Sequence, residues 1–412
     1  MVGVCDSGLT DIKKPIGKNA NLDIFRLVPI KNVLMNMKKT NHLPHCNNLN
    51  IAALSSIFDN TTNSYKYLFF ISLLDIIKNK KFSAREIDFT DIIVEMLANA
   101  WYPYEYFKLS FGKMDKIAQA IELLNLNYVK DKSILKNNIR ENNIENIVDF
   151  LSRYVPYRLI SPFFHTILRE RGVRCGYGNE LEKVMPSIAE EFFHACNPLY
   201  KFNDSENPQS LILNEHWMVY FEQHFTVIEG WAFWKWLQYM QKRNPTTPSL
   251  SNKLFAPVTR NTMAKQISFW NIFLEHTSDF RCMYSNILIN DSYALDHYLP
   301  WSFVAHDQIW NLIPVSKQAN SSKSNSLPDS KYYESFKDIH FHLVVKTHEI
   351  LYPNRKKYWV DNIEPYLCDM NIQEDEILNK DIFFRKMDDT MKPLFRIAKN
   401  HGFKTGWHYP LD

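Results

Sequence analysis

Ten glycines in a chain of 412 residues, about 2.4% where roughly 7% is usual, leave few positions for the tight turns that a β-sandwich or barrel needs. Helix is therefore the expected majority element. With 45% apolar and 23% charged side chains the chain can bury a sizeable core. At roughly 150 residues per domain, two or three domains are expected, or one helical body with a small insert.

The charge balance excludes some partners. Forty-eight basic residues against 45 acidic ones leave a formal charge of +3, too even for a protein that binds nucleic acid by bulk neutralisation alone. Any nucleic-acid surface must be local. The start, MVGVCDSGLTDIKK, has no apolar run behind a basic segment, and the longest uncharged apolar stretch, 67–74, is flanked by Lys66 and Asp75. No signal peptide and no membrane span are expected. Six scattered cysteines without a C-x-x-C pair read as reduced thiols of a cytoplasmic protein.

Four regions follow from the pattern. Residues 1–130 form an N-terminal helical region, with helical spacing from Ile51 and an aromatic cluster at 100–113 expected to line a core. His42, His45 and Cys46 lack a fourth ligand and read as a surface loop. Residues 131–277 form a central helical region. Its longest apolar stretch, 213–240, carries Trp217, Trp231, Trp234 and Trp236 and predicts a helix buried on nearly all sides. Residues 278–330 lose the helical period and read as strand, loop, strand and short helix. Residues 331–412 return to helix, with His340, His342 and His348 expected on its surface and a basic triplet, Arg355, Lys356 and Lys357, as candidate phosphate contacts. The aromatic tail HGFKTGWHYPLD is expected to pack back onto the body.

The chemistry concentrates in 278–330. Phosphodiester hydrolysis needs a base for water and a divalent ion to neutralise charge on the phosphate, and Mg²⁺ accepts as few as one or two protein oxygens. Consecutive residues at a strand end point to opposite sides, so Asp296 can face an ion while His297 faces water. An Asn320 carbonyl on the following helix would complete the ion's protein ligands.

Asp296-His297, Asn311 fourteen residues after the histidine, Asn320 nine later and Lys323 three beyond strongly resemble the HNH (ββα-metal) nuclease pattern of D-H, N and N-x-x-K. The resemblance is closest to the branch containing the HNH domain of CRISPR type II effectors, and it covers about fifty residues. It implies His297 as general base, Asp296 and Asn320 as ligands of Mg²⁺ or Mn²⁺, Asn311 as a loop brace and Lys323 at a phosphate or the leaving side. Trp301 and Trp310 are expected in the module's own core, and His306 away from the chemistry. Relatives often carry C-x-x-C before the D-H strand. Here Cys282-Met283-Tyr284-Ser285 lacks one thiol, so no structural zinc is expected.

The expected architecture is thus mainly α, a helical body with an inserted ββα-metal module. The expected function is a metal-dependent endonuclease acting on DNA in restriction or anti-phage defence, as a homodimer or with a defence partner. Two alternatives stay open: a ribonuclease or toxin using the same site, and a silent nucleic-acid-binding protein.

Overall fold

In the computed structural model the described residues are 43–173, 180–257, 262–290 and 292–410, and they fall in the unit Leu43–Asp412. His42 lies outside them. Two apolar cores organise this unit. The first is built from residues between Leu43 and Leu254, the second from residues between Phe269 and Phe403.

The first core is helical because its apolar residues recur at helical spacing on elements long enough to use it. Helix α1, Tyr65–Asn79, buries almost every side chain from Tyr67 to Ile77. It packs on α2, Phe89–Trp101. Just before α2, inside the region expected to be helical, Glu86–Asp88 is instead a short strand, β1. The aromatic cluster after α2 is core, as expected: Trp101, Tyr102, Phe107, Leu109 and Phe111 are all buried. At the start of the central helical region lies α3, Lys132–Glu141, which packs on α2. Lys132 and Lys136 reach the buried Glu95 at 2.6 and 2.9 Å.

Two further strands, β2 (Tyr200–Phe202) and β3 (Ser210–Leu213), complete an antiparallel sheet in the order β1-β3-β2. At three and four residues they are too short for alternation to stand out in the sequence. Helix α4, Glu215–Arg243, runs across this core with a break in helical geometry at His224. It is not buried all round. Val219, Val227 and Trp234 are each more than half exposed, so the expectation of a central helix is corrected to one with a single covered side.

The second core begins with α5, Ala264–Glu275. A two-stranded antiparallel ribbon follows, β4 (Ala294–His297) and β5 (Leu312–Val315), and then α6, Lys317–Lys323. Between the strands lies a short helical turn, Trp301–Val304, ended by Ala305 in the left-handed conformation. Helix α7, Tyr333–Asp369, loses helical geometry at Arg355, just after Pro353. Proline removes a backbone donor and clashes with the preceding turn, and here the helix folds back on itself. Trp359 Nε1 donates to Thr347 Oγ1 at 3.2 Å, and Tyr366 Oη lies 2.6 Å from His340 Nδ1. A straight helix would hold those pairs about 18 and 39 Å apart along its axis. The expectation that His340 lies on the surface is overturned: it is fully buried between the arms, while His342 is exposed. Helix α8, Lys380–Asn400, closes this core.

The tail after α8 packs on the ribbon's surroundings. Leu327 N donates to Lys404 O, Trp407 N to Leu327 O and Asp329 N to Trp407 O. The Trp407 ring meets Tyr284 edge-on at 5.0 Å. Trp301, expected in the module's own core, instead packs against the first core, with its ring near Phe107. Trp310 stays in the second core. The described residues are thus mainly α with small sheets, and no described helix is long and apolar enough to cross a membrane.

Candidate active site

The β4–β5 ribbon pairs Asp296 with Ile313 and His297 with Leu312. Strand geometry sends these two consecutive side chains to opposite faces, and their partners differ accordingly. Asp296 is buried. Its Oδ2 accepts from the Tyr284 hydroxyl at 3.0 Å, and its Oδ1 meets the Lys323 ammonium at 3.0 Å. His297 turns to the loop between the strands, where Nε2 lies 2.8 Å from Asp307 Oδ1.

Helix α6 is set against β4 by its two ends. Ser316 caps the start by accepting from Ala319 N, and Lys323 at the other end donates to His297 O at 2.6 Å. Lys323 has no exposed side-chain surface. Burial pushes its ammonium below the usual lysine range, and the Asp296 carboxylate opposes that shift without cancelling it. Tyr284 is held far above the ordinary phenol range, by burial first and by the neighbouring Asp296 charge second. It therefore stays a neutral donor.

Asn311 spends its whole amide on the residue two past the histidine. Leu299 N donates to its Oδ1 at 2.8 Å, and its Nδ2 donates to Leu299 O at 2.9 Å. Tyr298 N donates to the Asn311 carbonyl. These bonds pin the strand exit that carries His297, in keeping with a loop brace.

Asp296, His297, Asn311 and Lys323 are therefore gathered around one strand end. Asn320 stands one turn before Lys323 on α6, and residues three apart share a helix face, so it lies on the flank that Lys323 presents to Asp296. Arg355, Lys356 and Lys357 are not gathered there. They sit at the bend of α7, about three to four turns from Asp369, whose Oδ2 accepts from Trp310 Nε1 beside the loop. Lys356 pairs with Glu374 and Lys357 with Asp361.

The donor set suits a hard divalent ion. Each Asp296 oxygen accepts one bond and keeps lone pairs free, and Asn320 carries an amide carbonyl one turn before Lys323 on α6. Among the described residues no three His, Cys, Asp or Glu side chains converge. A site here thus rests on one carboxylate and one amide, the sparse oxygen set that Mg²⁺ accepts.

Two members of the site were not read from the sequence. Tyr284 occupies the stretch with the missing thiol, and nothing in its spacing announces a carboxylate partner. Asp307 lies in the loop with only its residue type as a signal. Outside this cluster, Lys253 buries its ammonium and donates to the carbonyls of Pro248 and Phe303. Burial brings it down to about 7. His306 packs on Trp310 and accepts from Gln308 N. Burial, partly opposed by Asp369, brings it down to about 4.

No curated protein and no solved structure shows significant similarity to the chain. Residues 282–329 match the family profile of HNH endonucleases, a span that contains β4, β5, α6 and every polar residue gathered at the strand end. The chain accordingly carries an HNH endonuclease domain, a domain whose substrate is nucleic acid, set within a mainly helical protein.

Proposed function

We propose that this protein is a divalent-metal-dependent endonuclease that hydrolyses phosphodiester bonds in DNA, in the cytoplasm, as part of restriction or anti-phage defence. The observation that carries the reading is the division of labour at the end of β4. Asp296 turns towards Lys323 and Tyr284, and the next residue, His297, turns towards the loop.

In this reading His297 takes a proton from water as the water oxygen attacks phosphorus. The phosphorus–oxygen bond to the leaving strand then breaks, and that oxygen takes a proton from solvent water. Asp296 and Asn320 would hold Mg²⁺ or Mn²⁺, an ion that would supply charge neutralisation at the phosphate. Asn311 keeps the His297 backbone in place through Leu299. Lys323 fixes the Asp296 carboxylate and the His297 carbonyl, and reaches a phosphate only after leaving those partners. The order D-H, N and N-x-x-K supports a place with the CRISPR type II effector branch. Arg355, Lys356 and Lys357 would hold a nucleic-acid backbone at a distance from the cutting point. One site per chain cuts both strands either as a homodimer or by two successive nicks.

The test is cleavage of supercoiled plasmid DNA, unmodified and phage-modified, with Mg²⁺, Mn²⁺ or EDTA. Nicking or linearisation that needs metal and disappears in His297→Ala is expected. Activity confined to single-stranded RNA would replace DNA by RNA as substrate, and metal-independent cutting would remove the ion from the scheme.

A further inference from the structure

We infer that Asp307 is a positioning residue for His297: it keeps the proton on Nε2 and leaves Nδ1 as the nitrogen that accepts a proton from water. This rests on the nuclease reading above and adds to it which face of the imidazole works.

A neutral imidazole has one donor and one acceptor nitrogen, and a carboxylate can only accept. With Nε2 at 2.8 Å from Asp307 Oδ1, the hydrogen must lie on Nε2. The other tautomer would set a lone pair against a carboxylate. The His297 side chain is only 7% exposed, so its ring has little room to turn over and find a different partner.

The backbone that carries this carboxylate is itself tied down. Gln266 on α5 donates its Nε2 to the Asp307 carbonyl at 2.9 Å, which ties the loop to an element outside the ribbon. One side of the loop is set by Ala305, whose positive φ of 55° reverses the chain after the Trp301–Val304 turn. On the other side Gln308 N donates to His306 Nδ1. His306 is uncharged at neutral pH, so it does not draw the Asp307 charge away as a second cation. A carboxylate on a loop tied down in this way, set against one ring nitrogen, does what a triad carboxylate does for its histidine: it selects the tautomer and the orientation without touching substrate.

The experiment uses the full chain labelled with ¹⁵N-histidine, with His297→Gln identifying the His297 signals. The ¹⁵N shifts should report a protonated Nε2 and a bare Nδ1 in the resting wild type, and a mixture of tautomers in Asp307→Ala. Single-turnover cleavage of supercoiled plasmid should fall about a hundredfold in Asp307→Ala and less in the isosteric Asp307→Asn, which still accepts a bond. DNA affinity should stay within about threefold, because orientation and not binding is lost.

An unchanged tautomer in Asp307→Ala would overturn the inference, whether or not the protein cuts the DNA supplied. So would cleavage by Asp307→Ala within twofold of wild type. Loss of Mn²⁺ affinity with the tautomer retained would make Asp307 a metal ligand instead. If His297→Gln cuts as fast as wild type, the nuclease reading of this site fails. If His297→Gln is dead and Asp307→Ala is not, only the positioning role fails.

Discussion

Two buried carboxylates, one in each core, are handled in opposite ways. Glu95 on α2 meets Lys132 and Lys136, and Lys132 also meets Asp75 at 3.0 Å. Two acids face two lysines, and the sum is zero. Burial raises the Glu95 carboxyl, and the two lysines outweigh it and hold the group below its ordinary range. Around β4, Asp296 meets the Lys323 ammonium and the Tyr284 hydroxyl, and Asp307 meets the His297 ring. A carboxylate closed in by two lysines is a brace between helices, whereas one set against an ionisable imidazole is placed to steer a proton. The same residue types thus make a brace in one core and the candidate site in the other.

That contrast can be broken first at the level of activity. His297→Ala should lose about three orders of magnitude of cleavage with little change in melting temperature, while Glu95→Gln should cut within threefold of wild type. Comparable losses of cleavage in plasmid assays would erase the distinction.

Stability offers the next test. Lys323→Met leaves Asp296 buried without its cation and should cost about 3–5 kcal/mol. Lys132→Met leaves Glu95 with Lys136 in a partly exposed cluster and should cost about 1 kcal/mol. Urea denaturation of the two variants compares them directly, and equal costs would contradict the difference in burial between Lys323 and Lys132.

Acid should open the two cores in different windows. Burial holds His306 down to about 4 and His340 down to about 3, both below the unfolded value of about 6.5. As pH falls from about 6.5 towards these values, the unfolded chain takes up protons that the folded rings refuse, so stability in the second core declines. Glu95 is lowered, so its contribution persists until pH falls below the ordinary carboxylate range of about 4.3. Hydrogen exchange at pH 5 should therefore speed up in α7 before α2, and simultaneous loss of protection would sink the idea.

The smallest effect is expected at the bend of α7. Charge reversal of Arg355, Lys356 and Lys357 should weaken DNA binding by less than tenfold, reduce its salt dependence and leave the single-turnover rate unchanged. A large fall in that rate would bring the bend into the site.

Much of the candidate site's arrangement was legible because its residues are tied to fixed points of a short ββα unit. Asp296 and His297 end a strand, Asn311 opens the next, and Asn320 and Lys323 share one helix face. Asp307 was not legible, since a loop carboxylate gains its role only from where Ala305 and Gln266 send it. Elsewhere the helical period was a sound guide to α1, α2 and α5 but could not say which sides are covered. The aromatic run of α4 looks buried throughout, yet Trp234 faces outward. Proline and Arg355 fold α7 into a hairpin that the apolar pattern alone reads as ordinary helix, and His340 becomes interior as a result.

The tail that lies along Leu327 and presses Trp407 against Tyr284 has a consequence for the order of synthesis. Tyr284 is the donor that holds Asp296, and the segment that supports it leaves the ribosome only after all of α7 and α8. A nascent chain whose Asp296-His297 strand has already emerged therefore lacks the last wall of its own site. The wall that supports the candidate site is therefore the last part of it to be made.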